Sequence, residues 1–239
     1  MGKIISLVGT KGGIIKSTIV QCVSTSKVFE KYKVGILEGD SQGSLAGWVE
    51  ERSKKMKPLN IEIINHNPEI QLKDEISKYR SKFDFLFVDL PGESRALNLT
   101  KTALVLSDLC IFPIRVYHKD INAFDKNLRP ILAKAIELRN KKFKVSDSKK
   151  HYKLLATFAH HSTDKDKYLD NFSSIKIINK FKNIHRDRLV YTYFSVGGLT
   201  LREYKKQNKF NLLEQSKANK AINDIELIAQ EILDYFNNN

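Results

Sequence analysis

The sequence predicts an α/β fold of three layers, a mostly parallel twisted sheet with helices on both faces. Three observations predict it. Apolar runs alternate along the chain with segments of helical spacing, the pattern of strands joined by crossover helices. The first run leads through a glycine-bearing loop directly into a helix. Two later runs end in a carboxylate, at the place where parallel strands open onto a ligand crevice. The chain has 239 residues and 41% hydrophobic content, enough for one α/β domain with a sizeable core. No internal repeat or Gly/Ser linker divides it, so residues 1–239 read as a single domain.

The first strand carries Ile4, Ile5, Leu7 and Val8, and the helix after it includes Val20, Val23 and Val28. Between them lies Lys11-Gly12-Gly13-Ile14-Ile15-Lys16-Ser17-Thr18. Backbone N–H groups of such a loop, with the positive end of a helix behind them, seat phosphates, and Lys16 can reach the terminal ones. A second lysine, Lys11, exceeds what one loop needs for its own phosphates and suggests a contact across a dimer. Ile15 stands where phosphate loops carry glycine. If that position is left-handed, the branched Cβ costs roughly 1–2 kcal/mol.

A second apolar run, 34–37, is followed by Glu38-Gly39-Asp40-Ser41-Gln42-Gly43-Ser44 and an amphipathic stretch with Leu45, Trp48 and Val49. Asp40 is placed to point into the crevice, or else to cap the next helix. Residues 69–82 place Leu72, Ile76 and Tyr79 at helical spacing. The unbroken run 83–90 reads as a strand buried on both faces, closing on Asp89 ahead of Pro91-Gly92. A helix over 96–107, a strand over 109–114 and a helix over 119–140, bent at Pro130, come next. A strand over 153–158, a helix over 165–182, a strand over 188–194 and a closing helix over 216–236 complete the pattern.

Lys-Gly-Gly-x-x-Lys-Ser-Thr resembles the deviant Walker A signature of the ParA family of partition ATPases, a branch that also contains MinD and the nitrogenase iron protein. The resemblance implies a P-loop NTPase fold, with ATP/ADP and Mg²⁺ as cofactors and ATP hydrolysis as the activity. It implies that Lys11 contacts the partner subunit's nucleotide, that Lys16 holds the β- and γ-phosphates, that Ser17 ligates Mg²⁺ and that Thr18 supports the α-phosphate, within a cradle of Gly12, Gly13, Ile14 and Ile15. The family's Asp-x-Asp-Pro-Gln corresponds to residues 38–42. Asp40 then orients the attacking water and Gln42 matches, while Glu38 and Ser41 replace the first aspartate and the proline. Asp89 takes the Walker B position, holding Mg²⁺ alongside Ser17. Lys11, Lys16 and Asp40 are thus the expected catalytic residues. The resemblance is sharp to about residue 115, returns from Gly197 and is weak over 140–195. There the family places an adenine-contacting residue, and Thr157-Phe158-Ala159-His160-His161 matches no such pattern. No helix-turn-helix extension precedes the loop, as in the small family members.

Lysine and arginine total 41 against 27 acids, a net charge of +14 that favours polyanionic partners. Family members bind DNA without sequence preference as ATP-bound dimers, often through C-terminal basic residues. That favours Arg202, Lys205, Lys206 and Lys209 over the groups at Lys54, Lys55 and Lys57 and at Lys141, Lys142, Lys144, Lys149 and Lys150. Cys22 and Cys110 read as core residues, without disulfide or metal spacing, which argues against an iron–sulfur role. Adjacent His160 and His161 point opposite ways on an extended segment. With no long apolar span, signal peptide or lipidation motif, the chain reads as cytoplasmic and nucleoid-associated rather than secreted or membrane-inserted. Asp224, Glu226, Glu231 and Asp234 make the last helix a poor ligand for acidic lipid. The expected function is ATP-dependent DNA partition by a homodimer formed on ATP binding, with hydrolysis stimulated by a ParB-like centromere-binding protein. The alternative is a degenerate nucleotide-sensing or nucleotide-free DNA-binding protein with little or no hydrolysis.

Overall fold

The computed structural model describes residues 1–9, 15–92, 97–144, 148–207 and 212–238. Its centre is a seven-stranded sheet of β1 (Lys3–Leu7), β2 (Val34–Glu38), β3 (Ile61–Asn65), β4 (Phe85–Asp89), β5 (Leu109–Arg115), β6 (Tyr152–Thr157) and β7 (Asn179–Lys180). The strand order is β3-β2-β4-β1-β5-β6-β7, and every pairing is parallel. Side chains alternate across a strand, so each apolar run feeds two cores. Ile4, Val8, Leu86, Val88, Phe112 and Leu154 enter one, and Ile5, Leu7, Phe85, Phe87, Ile111 and Leu155 the other.

The first core is covered by α3 (Leu72–Arg80), α4 (Leu97–Leu106), α5 (His118–Ala123), α6 (Arg129–Phe143) and α7 (Lys165–Asp170). The second is covered by α1 (Lys16–Ser24), α2 (Ser44–Ser53), α8 (Val190–Tyr193), α9 (Leu201–Lys205) and α10 (Leu212–Asn237). Helices on both faces make the three layers that the alternation predicts.

The second half of the chain departs from expectation in places. The 119–140 helix is two helices joined by a π-helical turn, Phe124–Leu128. That turn puts Pro130 in the first turn of α6, where a missing N–H costs nothing. Helix 165–182 stops at Asp170, because Asn171, Ser173 and Ser174 compete for backbone hydrogen bonds. The remainder buries Phe172, Ile175 and Ile178 and yields β7. The 188–194 segment, rich in strand formers, is helical instead. Val190, Tyr191 and Phe194 share one helical face and fill the second core. β3 escapes the sequence reading because an edge strand is only partly buried and lacks a continuous apolar run.

Candidate functional site

β1 lies at the centre of the sheet, between β4 and β5, and α1 starts just beyond its carboxyl end. In register Leu7 stands opposite Asp89, and Asp89 opposite Glu38, so the ends of β1, β4 and β2 form one crevice. Lys16 and Ser17 open α1 over it. The Ser17 hydroxyl donates to Asp89 Oδ2 at 2.5 Å, while Asp89 Oδ1 is buried with no hydrogen-bond partner. Asp89 is 0% exposed and Lys16 only 6%. The Lys16 side chain lies across Gly9, where an added Cβ would sit 3.4 Å from its Cδ.

These burials set the charges. Desolvation pushes the Asp89 carboxyl up to about 6, opposed by the Ser17 hydrogen bond and the Lys16 ammonium and reinforced by Glu38 and Asp40. Desolvation also lowers the Lys16 pKa, against the pull of Asp89 and Asp40. The structure therefore brings Lys16, Ser17, Asp40 and Asp89 into one electrostatic unit. An orphaned carboxylate oxygen beside a hydroxyl is a hard-oxygen pair that fits Mg²⁺, with phosphate and water completing the shell. Among the described residues no group of three or more His, Cys, Asp and Glu side chains could hold a metal without such help.

Ile15 has φ 28° and ψ 16°, a positive φ outside the regions a branched residue prefers, and caps α1 without a side-chain hydrogen bond. The conformation that motivates glycine here is thus present, held by an isoleucine that packs on the second core. Thr18 occupies the first turn of α1 and is half-buried. Lys11, Gly12, Gly13 and Ile14 lie outside the described residues.

Glu38 has a definite task. Its Oε1 accepts from Leu45 N at 2.8 Å and its Oε2 from Ala46 N at 2.9 Å, so a strand carboxylate satisfies the open N–H groups of α2. Asp40 therefore does not cap α2. Its Oδ1 instead accepts from Gln42 N at 3.1 Å, shaping the turn that ends at left-handed Gly43.

The basic group near the C-terminus is less uniform than the sequence suggests. Arg202 pairs with Glu30 at 3.1 Å, Lys205 is half-buried, and Lys206 is exposed beside a cleft of about 340 Å³. α9 ends at Lys205, and Lys209 lies outside the described residues.

Three features escaped the sequence reading. Gly9 follows its strand directly, outside the loop pattern, and that adjacency was the available signal. Arg115 closes β5 and pairs with Asp120 at 2.7 Å, flanked by the rings of Tyr117 and Phe158. His185 is 0% exposed with both ring nitrogens unpartnered, and Thr157 Oγ1 at the end of β6 is unpartnered too. No local pattern announces the last two.

The strand order, the start of α1 beyond the end of β1 and the Ser17–Asp89 pair define a P-loop NTPase-like α/β fold. Solved structures of partition and cell-division ATPases share it. A plasmid partition protein from Borrelia burgdorferi B31, bound to AMPPNP, is 17% identical with a TM-score of 0.59, over 97% of this chain and 100% of that one. MinD from Aquifex aeolicus is 14% identical with a TM-score of 0.64, over 97% of each chain. MinD from Pyrococcus horikoshii OT3, complexed with Mg-ADP, is 17% identical with a TM-score of 0.61, over 97% of this chain and 96% of that one. At these identities the likeness is one of fold. No protein-family model matches the chain, and no curated protein matches it by sequence. Among the described residues no helix is long and apolar enough to cross a membrane.

Proposed function

We propose that this chain is an ATP-dependent DNA-partition ATPase of the ParA type. The observation that carries the reading is the Ser17 hydroxyl on buried Asp89, with Lys16 beside them at the ends of adjacent parallel strands. ATP occupies the crevice, Lys16 meets its β- and γ-phosphates, Thr18 supports the α-phosphate, and Ser17 and Asp89 hold Mg²⁺. When bound, the cation neutralises phosphate charge. Asp40 accepts a hydrogen bond from the water that attacks the γ-phosphorus, and Lys16 meets the charge that develops. Lys11, from the cradle it shares with Gly12, Gly13, Ile14 and Ile15, reaches the nucleotide of a second copy, so ATP binding closes a homodimer. Arg202, Lys205, Lys206 and Lys209 contribute to non-specific DNA binding, supported by the net charge of +14. A ParB-like protein stimulates hydrolysis, and the cycle takes place on the nucleoid in the cytoplasm.

Two observations favour a second reading, nucleotide binding with little or no turnover. Ile15 holds a strained cradle, and Glu38 spends both its oxygens on α2. Titration calorimetry with ATP, with and without Mg²⁺, tests the primary claim. Magnesium-dependent binding that is lost in Asp89→Asn is expected, and no heat at millimolar ATP rejects it. Phosphate release with DNA and a cognate partner then separates turnover from sensing.

A further inference from the structure

Large apolar side chains are left uncovered at the starts of α8 and α10. Leu189 is 67% exposed and Leu213 63%, with Tyr193, Val196 and Leu212 also in solvent. Leu189, Tyr193 and Val196 fall at helical spacing on the outer side of α8 and its continuation, opposite the face that buries Val190 and Phe194. Leu189, Val190 and Leu213 line a groove of about 550 Å³ between the start of α8 and the first turns of α10. The α10 wall is a single stripe, Leu213, Ser216, Lys217 and Lys220. Scattered apolar residues on a surface are ordinary, but a contiguous set around a concave groove marks a docking site.

Charge selects the occupant. Lys217 and Lys220 stand exposed on the rim. Arg188 is neutralised by Asp224 at 2.6 Å, which leaves Asp187 as the one acid among the residues lining the groove. A rim of net positive charge on a chain of net charge +14 disfavours a second copy of itself. A concavity of this size takes inserted side chains, which a flat bilayer does not supply.

We propose that the α8–α10 groove docks an acidic amphipathic peptide segment of a partner protein. Apolar anchors of that segment enter between Leu189 and Leu213, and its carboxylates meet Lys217 and Lys220. Helix-in-groove recognition of this kind is read from anchors at i, i+3 or i+4 and i+7. None of Lys16, Ser17, Asp40 and Asp89 lines the groove, so loss of peptide binding and loss of nucleotide binding are read separately.

The test uses the full chain and two fluorescein-labelled peptides of equal length, with leucines at i, i+3 and i+7 and either Glu or Lys between them. Fluorescence anisotropy is expected to show binding of the Glu peptide at least about tenfold tighter than the Lys peptide. Leu213→Ser and Leu189→Ser each weaken it about tenfold or more, and the double change Lys217→Glu with Lys220→Glu reverses the preference. All four positions are exposed, so circular dichroism and thermal melting should stay at wild-type values. Equal affinity for the two peptides overturns the proposal, as does Glu-peptide binding unchanged by either leucine substitution. Leu213-dependent sedimentation with phosphatidylglycerol vesicles, or Leu213-dependent self-association, in place of peptide binding also overturns it, in favour of a membrane or of a second copy.

Discussion

Two regions at the carboxyl end of the sheet bury polar groups in opposite ways. At β1, β2 and β4 the groups are charged and engaged, with Ser17 on Asp89, Lys16 beside it and Glu38 on the N–H groups of α2. At the end of β6 and in the chain that follows β7, Thr157 Oγ1 and both nitrogens of His185 have no hydrogen-bond partner. Burial holds the His185 imidazole neutral, with its pKa pushed down to about 4. The contrast shows that one sheet edge can keep a high-field crevice and a neutral polar lining a few strands apart. The nearby Lys16 charge and hydrogen bonds to the carboxylates sustain the first, and exclusion of charge sustains the second.

The largest expected effect breaks the charged region. Lys16→Met removes the cation facing buried Asp89, and Mg-ATP affinity should fall at least about a hundredfold, roughly 3 kcal/mol, by titration calorimetry. Retained affinity would separate Lys16 from phosphate binding.

Acid tests the neutral region. The unfolded chain protonates His185 near its ordinary value of 6.5, and the folded chain does not until about 4. Its influence on stability is therefore nil above about pH 6.5, grows unfavourable as pH falls, and reaches about 3 kcal/mol below pH 4. Urea denaturation of wild type against His185→Leu between pH 7 and 4 should show that difference in slope. Parallel curves would place the imidazole in contact with solvent.

A smaller effect sits within the charged region. Glu38→Gln keeps the shape but loses the charge on two N–H groups, and should cost about 1–2 kcal/mol in urea denaturation. No loss would return Glu38 to the role of a free acid.

The smallest concerns Ile15. Glycine relieves about 1–2 kcal/mol of backbone strain yet forfeits packing on the second core, so stability should move by less than about 1 kcal/mol. ATP affinity should rise several-fold by calorimetry. A fall would mean that the isoleucine serves the ligand.

The charged region was legible in sequence because its chemistry is local. A lysine and hydroxyls after a glycine-bearing loop, and acids closing apolar runs, name their roles at fixed spacing. The strain at Ile15 followed from one misplaced letter. The role of Glu38 did not, because capping needs the strand register that sets its carboxylate against α2. His185 and Thr157 were silent for the same reason, being 28 residues apart in sequence and joined only where the chain after β7 returns alongside β6. Residues 188–194 misled because Tyr, Val, Thr and Phe suit strands by propensity, whereas burial in the second core decided their form.

Glu38 also staples a ring. Its backbone begins the segment 39–43, and its own carboxylate ends that segment by gripping Leu45 and Ala46. Asp40 thus sits in a short turn held at both ends, with Gly39 N donating to Asp89 O at 2.8 Å and left-handed Gly43 leading into α2. Under the proposed reading, Asp40 meets the nucleotide from a turn pinned at both ends, so its carboxylate arrives already oriented.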